Sequence, residues 1–225
     1  MNFDYTYIVL SGFPVFEPMI LLTNTVFFLI SIYFFYRLRR IPGAYPHQMK
    51  MFLLTLGVST FFGALAHAVH YQLGMGTFRV LFSLMGLFSM LSMYYCFRAA
   101  YTVSLDGAAP SARWINGVII YILFALVVSL ATASFRLIEI NGGLALLFSL
   151  WMHYRSYSRL GGRGNFLVIM GIIISMLSIV AHVAKISFHE YFNHKDVAHV
   201  IMIVALLFIG RGALLKGRGG VTQPG

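Results

Sequence analysis

This sequence of 225 residues has few of the residues that a water-exposed surface requires. Only 10% of its residues are Asp, Glu, Lys or Arg, and only six of them are acidic. Its single cysteine, Cys96, excludes a fold held together by internal disulfides. Hydrophobic residues instead make up 60% of the chain, and the mean hydropathy is +0.84. This composition excludes an ordinary soluble domain and indicates an integral membrane protein.

Seven apolar stretches are each long enough to cross the hydrocarbon core of a membrane, which takes about 20 helical residues. They cover residues 17–36, 49–71, 78–100, 113–133, 135–154, 164–187 and 197–216. The sequence therefore predicts an all-α fold, a polytopic membrane protein whose seven-transmembrane helix bundle spans residues 17–216. Residues 1–16 form an outer N-terminal segment in this prediction, and residues 217–225 form a disordered cytoplasmic tail.

The basic residues predict the orientation of the bundle. With the N-terminus outside, 12 of the 16 Lys and Arg residues lie on the inner side, as the positive-inside rule requires. We therefore expect an N-out/C-in protein, most simply in a bacterial inner membrane with a periplasmic N-terminus. The net charge of +10 reflects this topology and contact with membrane lipids, and it does not indicate nucleic-acid binding.

The acidic residues and histidines show the opposite bias. Five of the six acids and six of the eight histidines lie at or near the outer ends of the predicted spans. Ionisable side chains within spans are costly and usually mark a functional site. Their shared depth predicts one polar site near the outer face.

The second and seventh spans carry the strongest candidates for this site. His67 and His70 are three residues apart, so they share one face of the second span. His194 and His199 flank Asp196 at the start of the seventh span, where the positive helix end favours an anion or a metal-bound hydroxide. Asp196 is also a natural N-cap residue for that helix.

Imidazole and carboxylate ligands without thiols suit zinc or iron. We predict a zinc ion held by His67, His194 and His199, with Asp196 holding or deprotonating its bound water. Four further side chains are predicted to orient the ligands or to replace one of them. These are His70, His182, Glu17 and Glu139.

This pattern resembles the CREST superfamily of membrane hydrolases, which includes alkaline ceramidases and adiponectin-receptor-like proteins. The resemblance implies a seven-helix bundle, zinc bound by His67, His194 and His199, and hydrolysis of a lipid amide. Three features depart from the family pattern. Gly63 stands where the family has a serine, the third span has no acidic residue, and His194 and His199 are five residues apart where the family pair is four apart. The resemblance then leaves Ser59 and Asp196 to take the roles of the family's serine and aspartate.

Three functional hypotheses follow from these residues. The first is a zinc-dependent hydrolase that acts on a lipid amide or ester from the outer face. The second is an electron-transfer protein that binds haem iron between two histidines, with His67 opposite His182. The third is a non-enzymatic sensor or a subunit of a membrane complex that uses its histidines for pH sensing or packing.

Overall fold

The computed structural model describes residues 7–104, 111–132, 136–189 and 192–219. These residues form one β-hairpin followed by seven helices. The hairpin strands are β1 (Tyr7–Leu10) and β2 (Phe13–Phe16). The helices are α1 (Pro18–Leu38), α2 (Ala44–Ala68), α3 (Gly74–Val103), α4 (Ala112–Thr132), α5 (Arg136–Leu160), α6 (Arg163–Val183) and α7 (His194–Gly219).

The helical path from α2 to α3 is broken at one glycine, Gly74, the first residue of α3. The stretch Ala44–Ser104 is helical except at Gly74, where φ is 75° and ψ is 170°. This conformation is open to glycine and strained for residues with a Cβ atom. Gly74 therefore breaks one long apolar stretch into two helices, each of which is long enough to cross a membrane.

The structure confirms an all-helical membrane fold. Six of the seven helices are long and apolar enough to span a bilayer, and α5 is the exception. The expected span at 135–154 coincides with α5, but this helix continues through the polar residues Arg155 and Arg159 to Leu160. The seven-span count and the orientation stay predictions.

Glycines allow the closest helix contacts in the bundle. A Cβ atom added at Gly171 of α6 would lie 2.8 Å from the backbone oxygen of Ala205 in α7. On the other side of α7, an added Cβ at Gly210 would lie 2.5 Å from the ring of Phe34 in α1. Helix α7 is therefore packed tightly between α1 and α6. Its backbone approaches that of α6 directly at Gly171, and the ring of Phe34 lies against it at Gly210.

Helices α4 and α5 complete the bundle. Helix α5 packs against α3, where the Cys96 thiol lies 3.7 Å from the backbone oxygen of Ala145. Helix α4 is the least buried of the six candidate spans and exposes Ile120 and Phe124. An apolar exposed face of this kind fits contact with lipid tails.

The N-terminal hairpin leads directly into α1. Its strands pair antiparallel, with Tyr7 opposite Phe16, and its turn has positive φ at Ser11 and Gly12. The side-chain amide of Gln72, beyond the end of α2, donates a hydrogen bond to the backbone oxygen of Pro14. The hairpin is thereby held over this end of α2, which places the first residues of α1 beside it.

Candidate functional site

A buried carboxylate at the start of α1 is the centre of the candidate site. Glu17 is only 5% exposed and caps α1, with Pro18 at the first helical position, where proline needs no hydrogen-bond donor. Its Oε2 atom lies 2.7 Å from Nδ1 of His67 in α2. Its Oε1 atom accepts a hydrogen bond from the ammonium group of Lys195 in α7. One carboxylate therefore links three helices.

The two partners keep this carboxylate charged. Burial alone raises the pKa of Glu17, because it penalises the ionised form. Hydrogen bonds and ion pairs with His67 and Lys195 outweigh burial and lower the pKa to about 2. The site thus contains a fixed negative charge over the whole physiological pH range.

Three more histidines lie beside this group. The rings of His182 in α6 and His194 in α7 have centroids 5.0 Å apart. His199 is half-buried one turn further along α7, within electrostatic range of His67, His182 and Glu17. The adjacent ends of α1, α2, α6 and α7 therefore bring together the acid and the histidines that the sequence places at one depth.

Asp196 lies in the first turn of α7 and is 1% exposed. Its Oδ2 atom accepts a hydrogen bond of 3.0 Å from the backbone N–H of Asn193, and the Asn193 side chain accepts one from the backbone of Lys195. Asn193 is therefore the N-cap, and the expectation that Asp196 fills that position is wrong; Asp196 closes a capping box from inside the helix. Its Oδ1 atom is buried and accepts no hydrogen bond from the described residues.

An apolar cavity of about 160 Å³ lies deeper in the bundle, between α1, α2, α3, α5, α6 and α7. Met202 lines the cavity and follows His199 by three residues, so both side chains lie on one side of α7. Along α1, the buried stripe runs from Glu17 through Asn24 to Phe27, which lines the cavity. Along α7, His199 therefore lies about one turn from the cavity, whereas along α1 Glu17 lies about 15 Å from the cavity wall at Phe27.

One family model matches residues 19–217 of this chain, which is most of its length. The chain belongs to DUF6962, a family of unknown function. No curated protein and no solved structure matches it. The match to DUF6962 includes α2, α6 and α7 with all the histidines of the cluster.

Three predicted site residues of this DUF6962 chain lie elsewhere or are not described. Ser59 precedes His67 by two turns, and its hydroxyl donates to the backbone oxygen of Met85 and contacts Ser89 in α3. Glu139 is exposed in the first turn of α5, away from the cluster. The side chain of His70 lies outside the described residues.

The predicted zinc ligands lie in one region of the bundle, but they do not surround a common point. Among the described residues, no three His, Cys, Asp or Glu side chains converge closely enough to hold a metal ion. The donor types of His67, His194 and His199 suit zinc, but their arrangement here does not form its coordination shell. No described residue lining the cavity is a histidine, so the cavity offers no axial ligand for haem.

Sequence reasoning missed the role of Lys195. Its position in the first turn of α7 places a cation at the depth of Glu17, and this complementarity is the signal that could have identified the pair. A second missed feature lies at the other end of the bundle. There the Tyr45 hydroxyl lies 3.1 Å from Nε2 of the fully buried His153.

Proposed function

We propose that this protein is an integral membrane hydrolase that cleaves a lipid amide or ester at the Glu17–His67 pair. The observation that carries the proposal is that one helix bundle contains both this pair, at the ends of α1 and α2, and an apolar cavity about 15 Å further along these helices. A lipid substrate needs both environments, because its scissile carbonyl is polar and its tail is apolar. The side chain of His67 is 46% exposed, so water can reach the pair from outside.

The pair has the chemistry of a general base. When Nδ1 of His67 donates to Glu17, Nε2 is the basic nitrogen, and the buried carboxylate stabilises the imidazolium that forms. Water then attacks the carbonyl carbon as its proton passes to Nε2. The same proton passes to the amine nitrogen or alcohol oxygen as the C–N or C–O bond breaks. Lys195 contributes positive charge close to the developing oxyanion.

Fatty-acid release tests this proposal. The purified protein is incubated in detergent with a panel of lipid amides and esters, and released acids are measured by mass spectrometry. We expect His67→Ala to reduce release at least about 100-fold, the contribution typical of a positioned base. His47→Ala is the matched control, since His47 is exposed at the opposite end of α2. Equal release by wild type and His67→Ala contradicts the proposal.

As a second candidate we propose zinc, with His67, His194 and His199 as the residues that would hold it. The His67 ring would then be a ligand in place of its role as the base, and the three side chains would have to move together from the positions they have here. The unpaired Oδ1 of Asp196 supports this assignment, because it is a buried acceptor that lacks a donor among the described residues. Bound zinc would supply a water molecule with a pKa near 7. About one zinc per wild-type chain and none in His199→Ala supports the assignment, and equal zinc in both contradicts it.

We also propose the N-out/C-in orientation in a bacterial inner membrane. The charge bias carries this proposal, and the cluster then faces the periplasm. Single cysteines introduced into a Cys96→Ser background at residues 12 and 161 test it, since these positions flank opposite ends of the bundle. A membrane-impermeant thiol reagent on intact cells should label residue 12 alone. Labelling of residue 161 alone contradicts the orientation.

A further inference from the structure

The apolar cavity has a wall that offers a ligand little polar contact. Three serines are its only hydroxyl-bearing residues, and each is already hydrogen-bonded within the bundle. Ser92 donates to the backbone oxygen of Ser89, Ser89 pairs with Ser59, and Ser175 donates to the backbone oxygen of Ile172. The rest of the wall is hydrocarbon or sulfur, which suits an apolar chain and excludes a charged one.

One buried side-chain oxygen of α1, between Glu17 and Phe27 along the helix, accepts no hydrogen bond from the part of the chain that the structure describes. Asn24 is 3% exposed on the inner stripe of α1, and its Oδ1 accepts no hydrogen bond from the described residues. It lies about 10 Å from Glu17 along the helix axis and one turn before Phe27. A buried acceptor without a donor is costly, so a ligand that supplies one gains affinity.

We propose that the cavity holds a segment of the hydrocarbon tail of a single-chain amphipathic ligand, and that Asn24 accepts a hydrogen bond from an N–H or O–H group near the junction of tail and head. This inference rests on the proposed function for the position of the polar head beside Glu17 and His67. It makes Asn24 a specificity residue, which favours an amide over the matching ester because an ester oxygen cannot donate. The apolar wall suits a hydrocarbon chain, and a volume of about 160 Å³, close to that of a cavity that holds one benzene molecule, takes a segment of one chain.

Photocrosslinking tests the position of the tail. The probe is the N-methyl amide of palmitic acid with a diazirine at the middle of its chain, added to the intact protein in detergent. We expect crosslinks on α3 and α7 at cavity residues such as Met93, Cys96 and Met202. Crosslinks confined to the exposed residues Ile120 and Phe124 of α4 would show that the probe contacts only the outer surface of the bundle, as detergent does. That result would overturn the proposal.

A blocking variant sharpens this test. Met202→Trp adds bulk at the end of the cavity that lies nearest to His199, and we expect it to abolish the cavity crosslinks. Val204→Trp adds the same bulk to the exposed side of α7 and should leave them unchanged. Cavity crosslinks that persist in Met202→Trp would contradict this placement of the tail.

Competition tests the role of Asn24. Unlabelled N-methylpalmitamide and methyl palmitate differ only in an N–H group and an oxygen, and we expect the amide to displace the probe about tenfold more effectively. Asn24→Leu keeps the side-chain size and should equalise the two competitors. Thr23→Val is the control, because the Thr23 hydroxyl already donates to the backbone of Met19. Equal competition in wild type, or a preference kept in Asn24→Leu, overturns this role.

The binding readout separates this inference from the proposed function. His67→Ala should lose fatty-acid release and still give the cavity crosslinks, because His67 does not line the cavity. Cavity crosslinks in a wild-type protein that releases no acid would reject the hydrolase and retain the tail site. Acid release without cavity crosslinks would retain the hydrolase and reject the tail site.

Discussion

The imidazole of His67 and the carboxylate of Glu17 form an ion-pair contact of 2.7 Å across 50 residues of chain. The contact joins the C-terminal end of α2 to the start of α1, and Lys195 links α7 to both through the same carboxylate. Because Glu17 is buried, both partners are needed to hold its charge there. The pair is therefore a structural joint between helices as well as the base in the proposed reaction.

This joint predicts a specific pH dependence of stability. The pKa of Glu17 is lowered from 4.5 to about 2 in the folded protein, so its contribution is complete above pH 4.5 and is lost as the pH falls towards 2. The contribution is about 3 kcal/mol at neutral pH, and about 2 kcal/mol of it is gone at pH 3.

Comparison with Glu17→Gln measures this contribution. The difference in unfolding free energy between wild type and Glu17→Gln in detergent should stay constant from pH 7 to pH 5 and shrink by pH 3. A difference that grows on acidification, or that is zero at pH 7, would show that the ion pairs do not stabilise the fold.

The contact between α6 and α7 predicts that one added methyl group destabilises the bundle. In Gly171→Ala, the new Cβ would meet the backbone oxygen of Ala205 and the backbone nitrogen of Ile209 at 2.8 and 2.9 Å. Backbone atoms cannot rotate away, so the helices must separate at a cost of about 1–3 kcal/mol.

Gly143→Ala is the matched control for this change. Gly143 also lies within a helix, but a Cβ there meets no atom within 4 Å. Thermal unfolding in detergent should show a lower transition temperature for Gly171→Ala and an unchanged or slightly higher one for Gly143→Ala. The same loss in both variants would point to glycine flexibility and not to helix contact.

The buried Tyr45–His153 pair lies at the opposite end of the bundle from Glu17. Changes to it should lower the free energy of unfolding without affecting the candidate site. His153→Phe leaves the Tyr45 hydroxyl without its partner and should cost about 1–3 kcal/mol. Removing the hydroxyl as well, in the double variant with Tyr45→Phe, should recover part of that loss. A double-mutant cycle by thermal unfolding measures the coupling, and strictly additive effects would contradict a direct hydrogen bond.

The helices could be predicted from the hydropathy of the sequence, and the polar cluster from the depth of its residues along the predicted spans. Long apolar runs must become helices in lipid, and residues at matching ends of such helices must lie at one level. This reasoning correctly placed Glu17, His182 and His199 together. The sequence predicted a span at 135–154 because this apolar stretch is long enough to cross the membrane. The polar second half of α5 lowers its mean hydropathy below that of the other six helices.

Hydropathy and depth could not predict the rotation of each helix about its axis or the side-chain contacts between helices. Hydropathy does not state which way a residue on a fully apolar helix faces, so Ser59 was assigned to the site although its hydroxyl contacts α3. The same ambiguity hid the Lys195–Glu17 pair, which depends on the azimuth of α7 relative to α1. The cavity depends on side-chain packing among six helices, which no spacing in the sequence reveals.

The central claim is that water, activated at the Glu17–His67 pair, cleaves a lipid carbonyl bond. Hydrolysis of a lipid amide in water enriched with oxygen-18 tests it most directly, with the released fatty acid analysed by mass spectrometry. The account predicts one labelled oxygen in each acid released by wild type and by His47→Ala, and background release from His67→Ala. Absence of labelled acid from wild type, or equal labelling by His67→Ala, would contradict it.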